Sequence, residues 1–95
     1  MDCRNVYFSR HALERMFQRS VPPDEVIECI RSGEVIAHYP DDLPCPSALL
    51  LRFQQGLPLH VLVARQQKTG DCYVVTVYRP DPELWGVDFK TRRES

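Results

Sequence analysis

The hydrophobic spacing of this chain changes once, at Gly33, and that change constrains the fold more than any other feature. Before Gly33 the apolar residues recur at three- and four-residue intervals. After it they fall in short blocks of strand length, bounded by Pro and Gly. After a short extended lead-in, helices therefore come first and the long strands follow. This is the order of an α+β protein in which helices cover one face of a twisted antiparallel sheet.

Residues 5–8, "NVYF", read as a short first strand or an extended lead-in. Ser9 is a good N-cap, because its hydroxyl can accept an orphan amide of the first turn. The helix is predicted from Arg10 to Gln18, with Ala12, Leu13, Met16 and Phe17 on its core stripe. A second helix begins at the double proline, with Pro23 as its first residue. Asp24 and Glu25 follow, where the helix dipole favours negative charge. Val26, Ile27, Cys29 and Ile30 form its apolar face, and Gly33 is expected to end it in a left-handed conformation. The pair is predicted to form an αα-hairpin.

Strands are predicted over 34–39, 48–53, 59–65 and 72–79. The proline-rich loop 40–46 and the turns "QQGLP" and "QQKTGD" separate them. Residues 80–85 read as a turn, with Trp85 folding back on the core. The expected fold is an αα-hairpin on one face of a twisted antiparallel sheet of about four strands. One domain spans 1–95, with an ordered core over 6–90 and a loose tail from about Lys90 to Ser95. A chain of 95 residues buries roughly 60–65% of its unfolded surface, which allows a shallow site rather than a deep cofactor cavity. No cofactor is expected.

Alternation sorts the strand residues into two sets. Leu49, Leu51, Phe53, Val61, Val63, Tyr73, Val75 and Val77 are almost purely apolar and are assigned to the helix-covered side. Leu50, Arg52, His60, Leu62, Ala64, Thr76 and Tyr78 are mixed and are assigned to an open face.

The formal net charge is −1, which gives no general attraction to phosphate backbones. Charge is uneven, however. Arg4, Arg10, Arg15 and Arg19 face only Asp2 and Glu14 near the start, and "KTRRES" is basic at the end. The four cysteines, Cys3, Cys29, Cys45 and Cys72, include no C-x-x-C pair and none has a histidine at ligand spacing. No metal site is predicted, and reduced thiols in the cytoplasm are expected. No apolar run is long enough to cross a membrane, and no signal peptide is recognised.

The first helix leaves His11, Arg15 and Gln18 on the side away from its core stripe. The helix dipole and Arg15 disfavour an imidazolium at His11, and a neutral imidazole suits a general base. By itself a histidine near a helix start is usually just solvated. His60 lies mid-strand, where most histidines are hydrogen-bonded structural groups. Together with Arg52, Thr76 and Tyr78 it places an acid/base group, a cation and two hydroxyls on one surface. Phosphodiester cleavage without metal needs such a set: a base for the ribose 2′-hydroxyl, a cation for the phosphorane, and an acid for the leaving oxygen. His11 and His60 share one site only if the start of the first helix reaches the sheet edge.

The stretches "SRHALERMFQRSVPPDEVIECIRSGEVI" and "VVTVYRPDPELW" resemble an uncharacterised bacterial and archaeal domain family with an HA-x-x-R-M motif. That family looks like a relative of the RelE, BrnT and MqsR toxins, small α+β proteins that cleave messenger RNA and are neutralised by a partner. The resemblance implies a RelE-like fold, a metal-independent endoribonuclease of a toxin–antitoxin type system and an antitoxin partner. It implies catalytic roles for His11, Arg15, Thr76 and Tyr78. The face argument adds His60 and Arg52, and Arg79 is expected to bind RNA beside Arg52. The competing expectation is a non-catalytic domain that binds a protein or forms a homodimer through Leu50, Leu62, Ala64 and Tyr78.

Overall fold

The elements run β1 (Val6–Phe8), α1 (Arg10–Arg19), α2 (Pro23–Ser32), β2 (Glu34–Tyr39), β3 (Ser47–Gln54), β4 (Leu57–Arg65) and β5 (Cys72–Tyr78). This computed structural model describes residues 1–94. The strands form one five-stranded sheet in the order β1-β5-β4-β3-β2. β2 to β5 are antiparallel neighbours, while β1 runs parallel to β5. The sheet is therefore mixed, not antiparallel with about four strands. The three residues of β1 are too few for their alternation to reveal a partner.

A disulfide between Cys3 and Cys72, with Cα atoms 5.5 Å apart, ties the lead-in to β5. Reduced thiols were expected throughout, and this pair corrects that. Cys29 and Cys45 are free and buried. Cys29 acts as a small core hydrophobe, and burial pushes its thiol up to about 12.

Both helices rest on the sheet, α1 along β5 and α2 across β3 and β4, rather than on each other as an αα-hairpin would. β1 pairs only with Cys72 to Val74, so α1 borders the remaining edge of β5. Its contact is narrow. Ala12 and Met16 are buried, whereas Leu13 and Phe17, expected in the core stripe, are 50% and 89% exposed. Pro23 opens α2 at its first turn, as the double proline predicts. Gly33 closes α2 with φ −73°, not in the left-handed region. A Cβ there would run into the Cys29 carbonyl oxygen and come within 3.0 Å of that of Leu51. Close approach, not handedness, requires the glycine. The left-handed cap belongs to α1, at Ser20 with φ 55°.

The core joins Ala12, Met16, Val26 and Ile30 of the helices to Ala48, Leu50, Val61, Val63, Val74 and Val77 of the sheet. Leu50 pairs with Val61 and Leu49 with Leu62. The faces of β4 are as expected, but those of β3 are reversed: Leu50 and Arg52 point to the helix side, Leu49, Leu51 and Phe53 to the other. The run "ALLLRF" is almost continuously apolar and carries no phase of its own.

Residues 79–94 turn back over the face opposite the helices. Trp85 packs on His60 with ring centroids 4.5 Å apart, and Phe89 meets Phe53 at 6.0 Å. Lys90 pairs with Glu34 at 3.0 Å. Gly86 N–H bonds Thr91 O, and Arg93 N–H bonds Leu84 O. Lys90 to Arg93, expected to be loose, carry these contacts; Ser95 lies outside the described residues. At the root of this strap, Arg79 gives two hydrogen bonds, 2.6 and 2.9 Å long, to the buried Glu25 carboxylate. Breaking that pair costs about 2–3 kcal/mol, less than a wholly buried pair because Arg79 keeps some water. The face away from the helices is thus bare at one end only. No helix among the described residues is long and apolar enough to cross a membrane.

Candidate functional site

Ser9 sets the geometry of the bare end. Its hydroxyl accepts the Ala12 N–H at 3.0 Å, the predicted N-cap. The same hydroxyl donates to Val75 O at 3.1 Å, and the Ser9 N–H bonds Val74 O at 3.1 Å. One residue therefore starts α1 and fastens that start to β5.

Val75 is where β5 bulges. Val74 pairs with Val63 and Thr76 with Leu62, so Val75 has no partner in the ladder. The extra residue breaks the alternation. Val74 and Val77 both enter the core, while Thr76 and Tyr78 both point to the other face. The expected placement of Thr76 and Tyr78 holds, and the bulge is what produces it.

The N-terminal end of α1 reaches this edge. His11 Nε2 lies 3.1 Å from Thr76 Oγ1, in hydrogen-bond contact. Beside them Tyr39, Asp42, Leu49, Leu62, Thr76 and Tyr78 line a cleft of about 310 Å³. Its far wall is the end of β2 and the proline loop. There the Asp42 carboxylate accepts from the Ser47 hydroxyl, which fixes the loop against β3.

Tyr78 is backed by His60. His60 is fully buried under the strap, edge-on to Trp85 and Tyr78. Its Nε2 lies 2.8 Å from Phe89 O and its Nδ1 lies 3.1 Å from the Tyr78 hydroxyl. A carbonyl oxygen accepts only, so Nε2 carries the proton and Nδ1 accepts from Tyr78. Burial lowers the His60 pKa below its ordinary value, opposed by the bond to Phe89 O. Burial raises the Tyr78 pKa, with Tyr39 adding to the rise and Arg92 opposing it.

Tyr78 also lines a second cavity of about 320 Å³ with Arg19, Arg79, Asp81, Leu84, Trp85 and Arg92. Arg15 and Arg19 follow His11 at one-turn intervals on the same flank of α1. Arg15 gives a hydrogen bond of 3.2 Å to Gln18.

His11 thus meets Thr76 beside the cleft that Tyr78 lines, with Arg15 one turn away along α1. His60 stands behind Tyr78, closed off from the cleft. Arg52 is on the helix side of the sheet, bonded to Ser32 and Gln54. It does not join the others on the bare face, because β3 has the opposite phase. Arg79 meets the Glu25 carboxylate, which neutralises it. The homodimer patch built on Leu50 is also broken, since Leu50 is a core residue. Sequence reasoning missed Tyr39, Asp42, Arg19 and Arg92. The spacing of eight from His11 could have found Arg19; no periodic signal marks the others. Among the described residues no group of three or more His, Cys, Asp or Glu side chains is arranged to hold a metal ion.

A family model described as a domain of unknown function, DUF4258, matches residues 8–79, from the end of β1 to Arg79, and leaves the strap outside. No curated protein and no solved structure matches the chain.

Proposed function

This chain belongs to the DUF4258 family, a domain of unknown function, and we propose that it is a metal-independent endoribonuclease of the toxin type, related to RelE, BrnT and MqsR. The observation that carries this reading is the contact of His11 Nε2 with Thr76 Oγ1 at the edge of a cleft that also holds the Tyr78 phenol. In this reading Thr76 orients the imidazole. His11 accepts the ribose 2′-hydroxyl proton as the 2′-oxygen bonds to phosphorus. Arg15, one turn along α1, faces the charge that builds on the phosphate oxygens. The bond to the 5′-oxygen breaks, and Tyr78, its hydroxyl turned from His60 Nδ1 toward the cleft, gives that oxygen its proton. A departing alkoxide is far more basic than a phenolate, so this transfer runs downhill even from a buried phenol. The products are a 2′,3′-cyclic phosphate and a 5′-hydroxyl end. A proton passed from imidazolium to phenolate through water resets the site.

Single-stranded RNA incubated with the protein and a chelator tests the reading. Cyclic-phosphate ends that the wild type makes and His11→Ala does not would support it. Intact RNA after incubation with folded wild-type protein would overturn it. A toxin should also arrest growth on expression in bacteria, and the same substitution should relieve the arrest.

A second reading is a protein-interaction domain. The exposed Leu13 and Phe17, on the flank of α1 away from His11, favour it. An antitoxin covering that flank would reconcile the two readings, and a homodimer would replace the first. Light scattering of the wild type and Phe17→Asp separates them: a dimer that the substitution dissociates supports the second.

A further inference from the structure

The second cavity has more positive than negative charge available to a ligand. Arg79 is matched by Glu25, and an Asp81 carboxylate oxygen is engaged by the Glu83 N–H at 2.8 Å. Among the described residues Arg19 and Arg92 have no carboxylate within ion-pair distance. They come from opposite ends of the chain, the close of α1 and the strap, and converge on one hollow.

Arg92 is also held in place. Its guanidinium lies 5.6 Å from the Trp85 ring centroid, and its backbone bridges that of Trp85. A guanidinium fixed over an indole loses less freedom on meeting an anion than a free one does. Leu84, half-exposed in the same wall, offers apolar surface to a sugar or base.

The cavity shares Tyr78 with the cleft. Along α1, His11 and Arg19 are separated by eight residues, about 12 Å of helix rise. A strand passing His11 would continue along Arg15 toward Arg19 and Arg92, a cationic track of the kind that follows a nucleic-acid backbone.

We infer that this cavity binds a phosphate of single-stranded RNA flanking the one in the cleft, with Arg19 and Arg92 as its ligands. The inference rests on the ribonuclease reading for the identity of the strand, but binding is measurable without cleavage.

The test uses a fluorescent RNA oligonucleotide methylated at every 2′-oxygen, which cannot be cut by 2′-attack. Its affinity for the full chain is followed by anisotropy across a salt series. Arg19→Gln and Arg92→Gln should each weaken binding several-fold and lower the salt slope by about 0.7. Arg10→Gln, on the outer side of α1 and paired with Glu14, should leave both unchanged. Because Arg92 also braces Trp85, Arg19→Gln serves as the variant that leaves the strap intact. Equal effects of all three substitutions, or no effect of Arg19→Gln, would overturn the site. So would inorganic phosphate, a nucleoside monophosphate or polyglutamate binding through these arginines while the oligonucleotide does not bind. His11→Ala keeps the two ideas apart. If the oligonucleotide binds through Arg19 and Arg92 but neither wild type nor variant cuts unmodified RNA, the nuclease is lost and the phosphate site stands.

Discussion

The Tyr78 hydroxyl donates across 3.1 Å to Nδ1 of His60, a ring whose other nitrogen is spent on the Phe89 carbonyl oxygen. His60 therefore joins three parts of the molecule: β4 that carries it, β5 through Tyr78, and the strap through Phe89. It acts on the cleft by holding Tyr78, without touching whatever the cleft binds.

Stability should fall in mild acid because of this ring. Its folded pKa is lowered, so near and below about pH 6.5 the unfolded chain binds the proton more readily. The contribution is fully present above that value and is lost as pH falls from it toward the folded pKa. Urea midpoints measured on both sides of that window should drop on the acid side, and His60→Gln should flatten the drop. His60→Ala should cost about 2–4 kcal/mol at neutral pH.

Activity should divide differently between His11 and its neighbours. His11→Ala should lower kcat about 100- to 10,000-fold, the usual range for a general base. Thr76→Val leaves the base in place but frees its orientation, so its loss should be smaller. Single-turnover cleavage with saturating RNA measures both. A Thr76→Val loss equal to that of His11→Ala would contradict the assignment of the base.

Ser9→Ala should affect both stability and activity. Losing the cap costs about 1–2 kcal/mol. The bond to Val75 O goes with it, which loosens His11 from Thr76. Ser9→Asp restores the cap without the donor, so it should recover stability in denaturant titrations more fully than cleavage.

Opening the Cys3–Cys72 bridge should cost about 2–4 kcal/mol through the long loop it closes. Urea midpoints with and without a thiol reductant read this directly, and Cys3→Ser should be insensitive to reductant.

The sequence made the local signals legible. Ser9 as a cap, Pro23 as a helix opener and the four long strands are dictated by nearby atoms, and the structure has them in place. The phase of β3 was hidden because "ALLLRF" is apolar on both faces, Leu50 against the helices and Leu51 against the far side. The bulge was hidden because the neighbouring valines fit either face. Leu13 and Phe17 obey helical spacing yet stay wet, since spacing cannot tell that α1 borders an edge. The disulfide is not deducible from four cysteines at these spacings. Of the site, His11 meets Thr76 at the edge of the cleft that Tyr78 lines, a contact that residue spacing does not reveal. Arg52 and Arg79 do not join them, because one depends on the phase of β3 and the other on a carboxylate in α2.

β1 stops at Phe8 and α1 begins two residues later, at Arg10. That brevity makes the joint a phase setter. One added residue between Phe8 and His11 would swing the imidazole about 100° around the helix axis, off the threonine and toward the buried position that Ala12 now holds. The spacing of this short connection therefore fixes the direction of the imidazole as firmly as the identity of any residue does.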